Sequence, residues 1–387
     1  MNGSRRLIAA AAMFAIVTTG CGAASAGAPQ WTFGVPATPN VAAAVASSAP
    51  AIPSPAAAAP AATPTASAGG MAGMGQASAA PAAVAANATP SADPNAPAYV
   101  LRDPKAPPVM AGTVHDVDMP IVETDMTVAK GYVVHVWTFG GTVPGPVIRV
   151  HLGDTVRVHL TNNTPMSHSI DFHASQTAMD HQMVEIKPGA TWTYTFQADY
   201  AGVWMYHCGT APTLLHIANG MFGMVIVEPK GGIDKVLGPA DSEFAFVQSE
   251  WYLGAQGQPV DYAKANAAAA APDFVAFNGV ASQYKDNPIP VKTGSRVRVF
   301  VLNAGPNIGT SFHVVGTIFD TVEKEGMLLS RGNADGWGAQ AVDLAPAQAA
   351  IIEFSPAEDG MYAFVDHAFN MVNRGAIGLF EASASGQ

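Results

Sequence analysis

From Ile148 to Leu160 the chain reads I-R-V-H-L-G-D-T-V-R-V-H-L, with apolar and polar residues alternating on both sides of Gly153-Asp154. A period of two marks half-buried strands and a Gly-Asp pair marks a turn, so the stretch predicts two short strands around a turn. Ile148, Val150, Leu152, Val156, Val158 and Leu160 then face a core. Arg149, His151, Arg157 and His159 take the other face, with both histidines exposed, and His135 in V-V-H-V-W-T-F reads the same way. The pattern recurs: Ile289 to Asn303 echoes Ile148 to Asn162, and Ile352 to Phe364 echoes Tyr194 to Tyr206. Two similar units follow, divided around Val227 to Ile233. Short alternating strands with turn signals roughly every 8 to 12 residues argue for Greek-key sandwiches rather than helical domains. The expected fold is therefore all-β, with two tandem Greek-key β-sandwich domains over 99–230 and 231–387. Ala263 to Ala271 reads as a short helical or irregular insert and Leu328 to Trp337 as a long loop.

Ahead of these units, residues 27–98 are dominated by Ala, Pro, Ser, Thr and Gly. Such a segment cannot bury enough surface to offset the entropy of ordering it, and it reads as a disordered tether. Met71 and Met74 read as part of that linker. Residues 1–26 have the layout of a bacterial export signal: Arg5-Arg6, an apolar run from Leu7 to Val17 too short to span a membrane, then Thr18-Thr19-Gly20-Cys21. Gly20-Cys21 resembles a lipoprotein processing site, which makes Cys21 the lipidated first residue of the mature chain. Cleavage after Ala24-Ser25-Ala26 is the alternative, and Ser4-Arg5-Arg6 weakly resembles a twin-arginine signal. Either route places the mature protein outside the cytoplasm, in the periplasm or at the cell surface.

Of the 387 residues, 12% are charged and the net charge is -11, which argues against nucleic acid as a partner. The two cysteines, Cys21 and Cys208, lie far apart in unlike contexts, so no disulfide framework is expected.

Cys208 belongs to the densest chemistry in the sequence, W-M-Y-H-C-G-T-A-P-T-L-L-H-I-A-N-G-M-F-G-M from Trp204 to Met224, which also carries His207, His216 and Met221. Two imidazoles, a thiolate and a weak thioether form the ligand set of a blue copper site. Upstream, M-S-H-S-I-D-F-H supplies His168, Asp171 and His173. In extended chain the odd spacing of His168 and His173 sends them to opposite faces, as adjacency does for His207 and Cys208. Parity thus predicts two sites. His168, Cys208, His216 and Met221 face the interior, while His173 and His207 face out on the same side as Asp171 and need a third ligand from elsewhere.

These motifs, together with S-F-H-V-V-G and V-D-H, resemble the copper-containing nitrite reductases, a two-cupredoxin-domain family of the multicopper oxidase group, from about Pro104 to the end of the chain. The resemblance implies cupredoxin-like domains and two coppers per subunit. A type 1 copper is held by His168, Cys208, His216 and Met221, and a type 2 copper by His173, His207 and His367. It further implies a homotrimer in which His367 comes from a neighbouring subunit, and proton delivery by Asp171 and His313. The implied reaction is reduction of nitrite to nitric oxide and water, with an external cupredoxin or c-type cytochrome as the expected electron donor.

The chain departs from the family at two places. Val315 stands over the substrate position, where Ile is common, and T-A-M-D-H-Q-M replaces a Gly/Ala-rich stretch, with His181 expected on a surface loop. Two other readings fit parts of the sequence. A laccase-like multicopper oxidase needs H-x-H pairs and an H-C-H arrangement, whereas the chain has His207-Cys208-Gly209 and no H-x-H. A non-catalytic copper electron-transfer protein would account for the ligands but not for Asp171 and His313 beside them.

Overall fold

The computed structural model describes residues 89–332 and 336–386. The export signal, Cys21, Met71, Met74 and the linker through residue 88 lie outside them. The described end of the predicted linker is tied to the body, through Asp93 N–H to Gly131 O and Thr127 Oγ1 to Pro97 O.

In the first half the strands are β1 (Val114–Ala129), β2 (Tyr132–Phe139), β3 (Ile148–His151), β4 (Thr155–Asn162), β5 (Asp171–Phe172), β6 (Thr191–Gln197), β7 (Gly202–His207) and β8 (Phe222–Glu228). Two short helices interrupt them, α1 (Met179–Gln182) and α2 (Thr213–Ala218). The strands form two four-stranded sheets, ordered β2-β1-β4-β6 and β3-β8-β7-β5. β3 and β4, read from one alternating stretch, belong to different sheets: Gly153, at φ +93°, makes a turn that passes the chain from one to the other.

In the second half β9 (Ser242–Trp251), β10 (Phe274–Phe277), β11 (Ile289–Lys292), β12 (Val297–Gly305), β13 (Thr310–Val314), β14 (Thr321–Lys324), β15 (Met327–Ser330), β16 (Ala341–Leu344), β17 (Ala349–Phe354), β18 (Gly360–Asp366) and β19 (Ile377–Ser383) complete the set. Their sheets run β10-β9-β12-β17-β14-β15 and β11-β19-β18-β13-β16. The internal repeat reappears as pairing. β4 lies parallel to β1 and antiparallel to β6, as β12 lies parallel to β9 and antiparallel to β17. β3 is parallel to β8, as β11 is to β19. The architecture is all-β with tandem sandwiches, as the patterning predicts, and cupredoxin-like, as the resemblance implies.

Alternation places the core residues well: Ile148, Val150, Val156, Val158 and Leu160 are each no more than 2% exposed. It misplaces Arg149, which is buried. The face of β3 expected to meet solvent is covered, and the guanidinium donates to Glu228, Glu243 and the Pro107 carbonyl while lying 5.0 Å over the Phe300 ring. His151, His159 and His135 stay partly exposed, each paired with or near a carboxylate. The insert predicted over 263–271 begins as a helical turn, Tyr262–Ala265. The segment read as a long loop from Leu328 is in part strand, because Met327–Ser330 pairs with β14 as an edge strand carrying Met327, Leu328 and Leu329 exposed. Among the described residues no helix is long and apolar enough to cross a membrane.

Candidate metal centres

The end of β7 serves two sites. Tyr206 and Phe172 pair across β7 and β5 in the core, and Asp171 pairs with His207. One residue past the strand, Cys208 turns fully inward, its N–H donating to the Met221 carbonyl at 3.0 Å. Met221 in turn donates its N–H to the His216 carbonyl, which ties the thioether residue to α2. His168 lies just outside β5 and is fixed by reciprocal backbone bonds with Ile186 at 3.1 and 2.7 Å.

These anchors bring three ligand atoms together. Nδ1 of His168 and Nδ1 of His216 are 3.1 Å apart, and Cys208 Sγ lies 3.4 Å from the latter and 3.9 Å from the former. His168, Cys208, His216 and Met221 are all buried. Burial, reinforced by its neighbour His216, pushes the His168 imidazole down to about 3, and burial alone takes His216 down to about 4. Burial raises the Cys208 thiol, partly opposed by hydrogen bonds from Ser169 and Thr210. Neutral imidazoles crowded against a sulfur, with His168 Nε2 buried and unpartnered, leave electron pairs converging where no proton can satisfy them all. That donor set fits a borderline-soft cation such as copper.

Trp137 packs edge-on against both imidazoles, with ring centroids 6.0 Å from His168 and 5.0 Å from His216. Ser169 donates its N–H toward Cys208 Sγ at 3.5 Å, and its hydroxyl accepts from Gly209 N–H and Thr210 Oγ1. The sequence reading singled out none of these residues. Adjacency of Ser169 to His168 and of Thr210 to Cys208 was the available signal; Trp137 had none. Met183, from the departing segment, covers Gly209 so closely that a Cβ there would lie 2.0 Å from its Sδ.

The second cluster is nearer the surface. His207 Nε2 and His173 Nε2 are 3.0 Å apart, with Asp171 Oδ2 3.7 Å from His173 and 4.0 Å from His207. His207 Nδ1–H donates to the Cys208 carbonyl at 3.0 Å, which turns Nε2 toward His173 and leaves its lone pair free to bind. The His173 backbone is held by the Met205 carbonyl. Burial first, then the neighbouring His207, lowers the His173 imidazole, while Asp171 works in the opposite sense.

His313 on β13 and His367 just after β18 lie together elsewhere, ring centroids 5.4 Å apart. His313 Nδ1–H donates to the Gln340 carbonyl, leaving Nε2 available. His367 is exposed, its ring against Phe369 at 4.9 Å. Among the described residues the groups whose ligand atoms lie within 4.8 Å of one another are His168–Cys208–His216 and Asp171–His173–His207, so one chain alone does not bring His367 or His313 to the second group. Val315 is 46% exposed beside His313. His181 sits on α1 and is solvent-exposed.

Residues 121–232 match the multicopper oxidase family model. The chain is 42% identical, over 70% of its length and 69% of the relative's, to a copper-containing nitrite reductase of Neisseria meningitidis serogroup B. A solved copper nitrite reductase of Nitrosomonas europaea superposes with a TM-score of 0.64 at 35% identity, covering 70% of this chain and 94% of the other. One from Thermus scotoductus gives 0.63 at 31% identity, covering 70% of this chain and 62% of the other.

Proposed function

The chain belongs to the copper-containing nitrite reductases and reduces nitrite to nitric oxide with copper; within that activity we propose a division of labour among its residues. His168, Cys208, His216 and Met221 hold the electron-accepting type 1 copper. His173 and His207 hold the type 2 copper, completed by His367 of a neighbouring subunit in a homotrimer. The observation that carries this reading is the convergence of two ligand groups on the ends of one peptide bond, His207–Cys208.

Reduction of nitrite consumes one electron and two protons and releases nitric oxide and water. Copper supplies the one-electron chemistry and a position that accepts an anionic oxygen ligand. The chain's own residues arrange the rest. The bond from His207 Nδ1–H to the Cys208 carbonyl joins the two ligand sets through a fixed imidazole orientation. Asp171, with Oδ2 facing both His173 and His207, holds one proton at the site, and His313 Nε2 delivers the other while Gln340 fixes its ring. Val315 borders the substrate. One methylene less than isoleucine changes affinity by about 1 kcal/mol, which nitrite titration of Val315→Ile measures.

The electron comes from an external cupredoxin or c-type cytochrome. The enzyme works outside the cytoplasm, after export directed by residues 1–26, and a lipid on Cys21 holds it to the membrane through the Ala/Pro-rich segment that precedes residue 89. Loss of membrane association in Cys21→Ala tests the anchor. The catalytic reading is tested by steady-state nitrite reduction with an artificial donor, before and after selective removal of type 2 copper. Nitric oxide production stops on removal; undiminished production would sink the reading. The non-catalytic alternative requires fully loaded protein with only a type 1 EPR signal.

A further inference from the structure

Asp366, the last residue of β18, is fully buried, and its carboxylate is held by neutral donors. Gln248 Nε2 donates to Oδ2 at 3.3 Å, while the N–H groups of Ser311 and Ala368 donate to Oδ1 at 3.2 and 3.0 Å. Gln248, on β9 and itself buried, accepts in turn from Thr310 Oγ1 at 2.8 Å. A buried carboxylate without a cation is costly unless hydrogen bonds satisfy it, and here its two oxygens gather donors from β9, from β13 and from the turn after β18.

The placement of those donors shows what they control. The ladder between β13 and β18 ends at the pair Phe312 and Asp366; beyond it Ser311 and Thr310 still pair with β16, but the chain that leaves β18 toward His367 has no further strand register there. Asp366 takes over by gripping Ala368, the residue after His367, and Ser311, two residues before His313. Ser311 also accepts the N–H of His367 at 2.8 Å, which closes the loop between the two histidine-bearing segments.

We propose that Asp366 is a positioning residue for the nitrite-reducing site, one whose side chain sets the separation and aim of the His367 and His313 imidazoles. The proposal rests on the reading of His367 as a type 2 ligand given above. Placement rather than charge is the operative property. Asparagine keeps the acceptor for Ser311 and Ala368, and its amide can donate to a Gln248 turned end for end, whose own amide then faces Thr310.

The test uses copper-loaded full-length protein carrying Asp366→Ala, Asp366→Asn, Gln248→Leu or His367→Ala. Three readouts are taken: copper(II) affinity by chelator competition, the type 1 and type 2 EPR signals, and amide hydrogen exchange over 309–313 and 366–370. Asp366→Ala is expected to weaken type 2 copper binding by about tenfold or more, alter that signal, leave the type 1 signal unchanged and speed exchange in both segments. Asp366→Asn restores affinity to within about threefold, and Gln248→Leu, which keeps the carboxylate and supplies a second probe if Asp366→Ala does not fold, weakens it by about threefold. Wild-type affinity in Asp366→Ala and Gln248→Leu overturns the proposal, as does an Asp366→Asn as damaging as Asp366→Ala. A His367→Ala that keeps its type 2 signal overturns the ligand reading beneath it, whatever the Asp366 variants do.

Discussion

His207 and Cys208 are consecutive residues whose side chains leave the chain on opposite sides: Cys208 Sγ is buried 3.4 Å from Nδ1 of His216, and His207 Nε2 is 3.0 Å from Nε2 of His173 nearer the surface. One peptide unit therefore separates the two ligand groups. The His207 Nδ1–H bond to the Cys208 carbonyl adds a second link across that unit. The expected consequence is separable loss. Cys208→Ser abolishes the blue absorption and leaves type 2 EPR intensity, whereas His207→Ala does the reverse, and both stop nitrite reduction. Loss of both signals in either variant would mean that the sites are not independent in their binding.

Within one chain His367 is not gathered with His173 and His207, so the proposed assembly must supply it from another copy. Complementation measures this directly. His207→Ala and His367→Ala are each expected to be inactive. When the two are co-expressed and assemble at random into rings, about a quarter of the interfaces pair an intact His207 with an intact His367. Activity recovered to about that fraction supports the shared site, and no recovery in mixed oligomers would place all three ligands in one chain.

Much of this arrangement was legible in the sequence because it follows from local rules. A period of two assigned the strands, the repeat of Ile148–Asn162 at Ile289–Asn303 assigned the two sandwiches, and parity at His168/His173 and His207/Cys208 sorted these side chains into the two groups that the fold gathers. What failed were statements about coverage. Alternation says that Arg149 points away from its own core, but only the chain packed over β3, with Glu243 and Pro107, decides that the far side is buried too. The strand Met327–Ser330 was hidden because its exposed apolar residues show no alternation. Trp137, which packs against both buried imidazoles, lies about 30 residues before the first of them, and nothing in V-D-H signals that Asp366 gathers three donors from distant and neighbouring chain.

Gly209 stands where an H-C-H arrangement would have its second histidine, and the structure gives the position a steric reason. A Cβ there would lie 2.0 Å from Met183 Sδ and 3.1 Å from its Cγ. Gly209→Ala must displace the methionine from the residue next to Cys208, with an expected destabilisation of about 1–3 kcal/mol. Because the obstruction is a flexible side chain, Met183→Ala should relieve most of it. A double-mutant cycle read by urea unfolding and by the type 1 absorption is expected to give strong coupling. Additive effects would show that the glycine is required for its backbone rather than for the methionine.

Glu323 lies at the other end of the molecule's chemistry and yields the pH prediction. It is 8% exposed, neither carboxylate oxygen makes a hydrogen bond of good geometry although the Gly326 and Ile351 N–H groups lie near, and it lines a cavity of about 120 Å³ among Val227, Ile233, Leu237 and Ile351. Burial lifts its carboxyl from 4.5 to about 7, opposed by the Gly326 and Ile351 backbone N–H groups and aided slightly by Glu325. Between those values the folded protein holds a proton that the unfolded chain has released. Linkage then makes unfolding easier as pH rises through this window, and the full cost, about 3 kcal/mol, is present once pH exceeds the folded-state value. Glu323→Gln keeps the shape and cannot ionise. The variant should match wild type near about pH 5 and exceed it in stability by about 2–3 kcal/mol near about pH 8, as urea unfolding of copper-loaded protein measures. A difference that stays constant across that range would show that the carboxyl titrates at its ordinary value, and that water or a cation enters the cavity to solvate it.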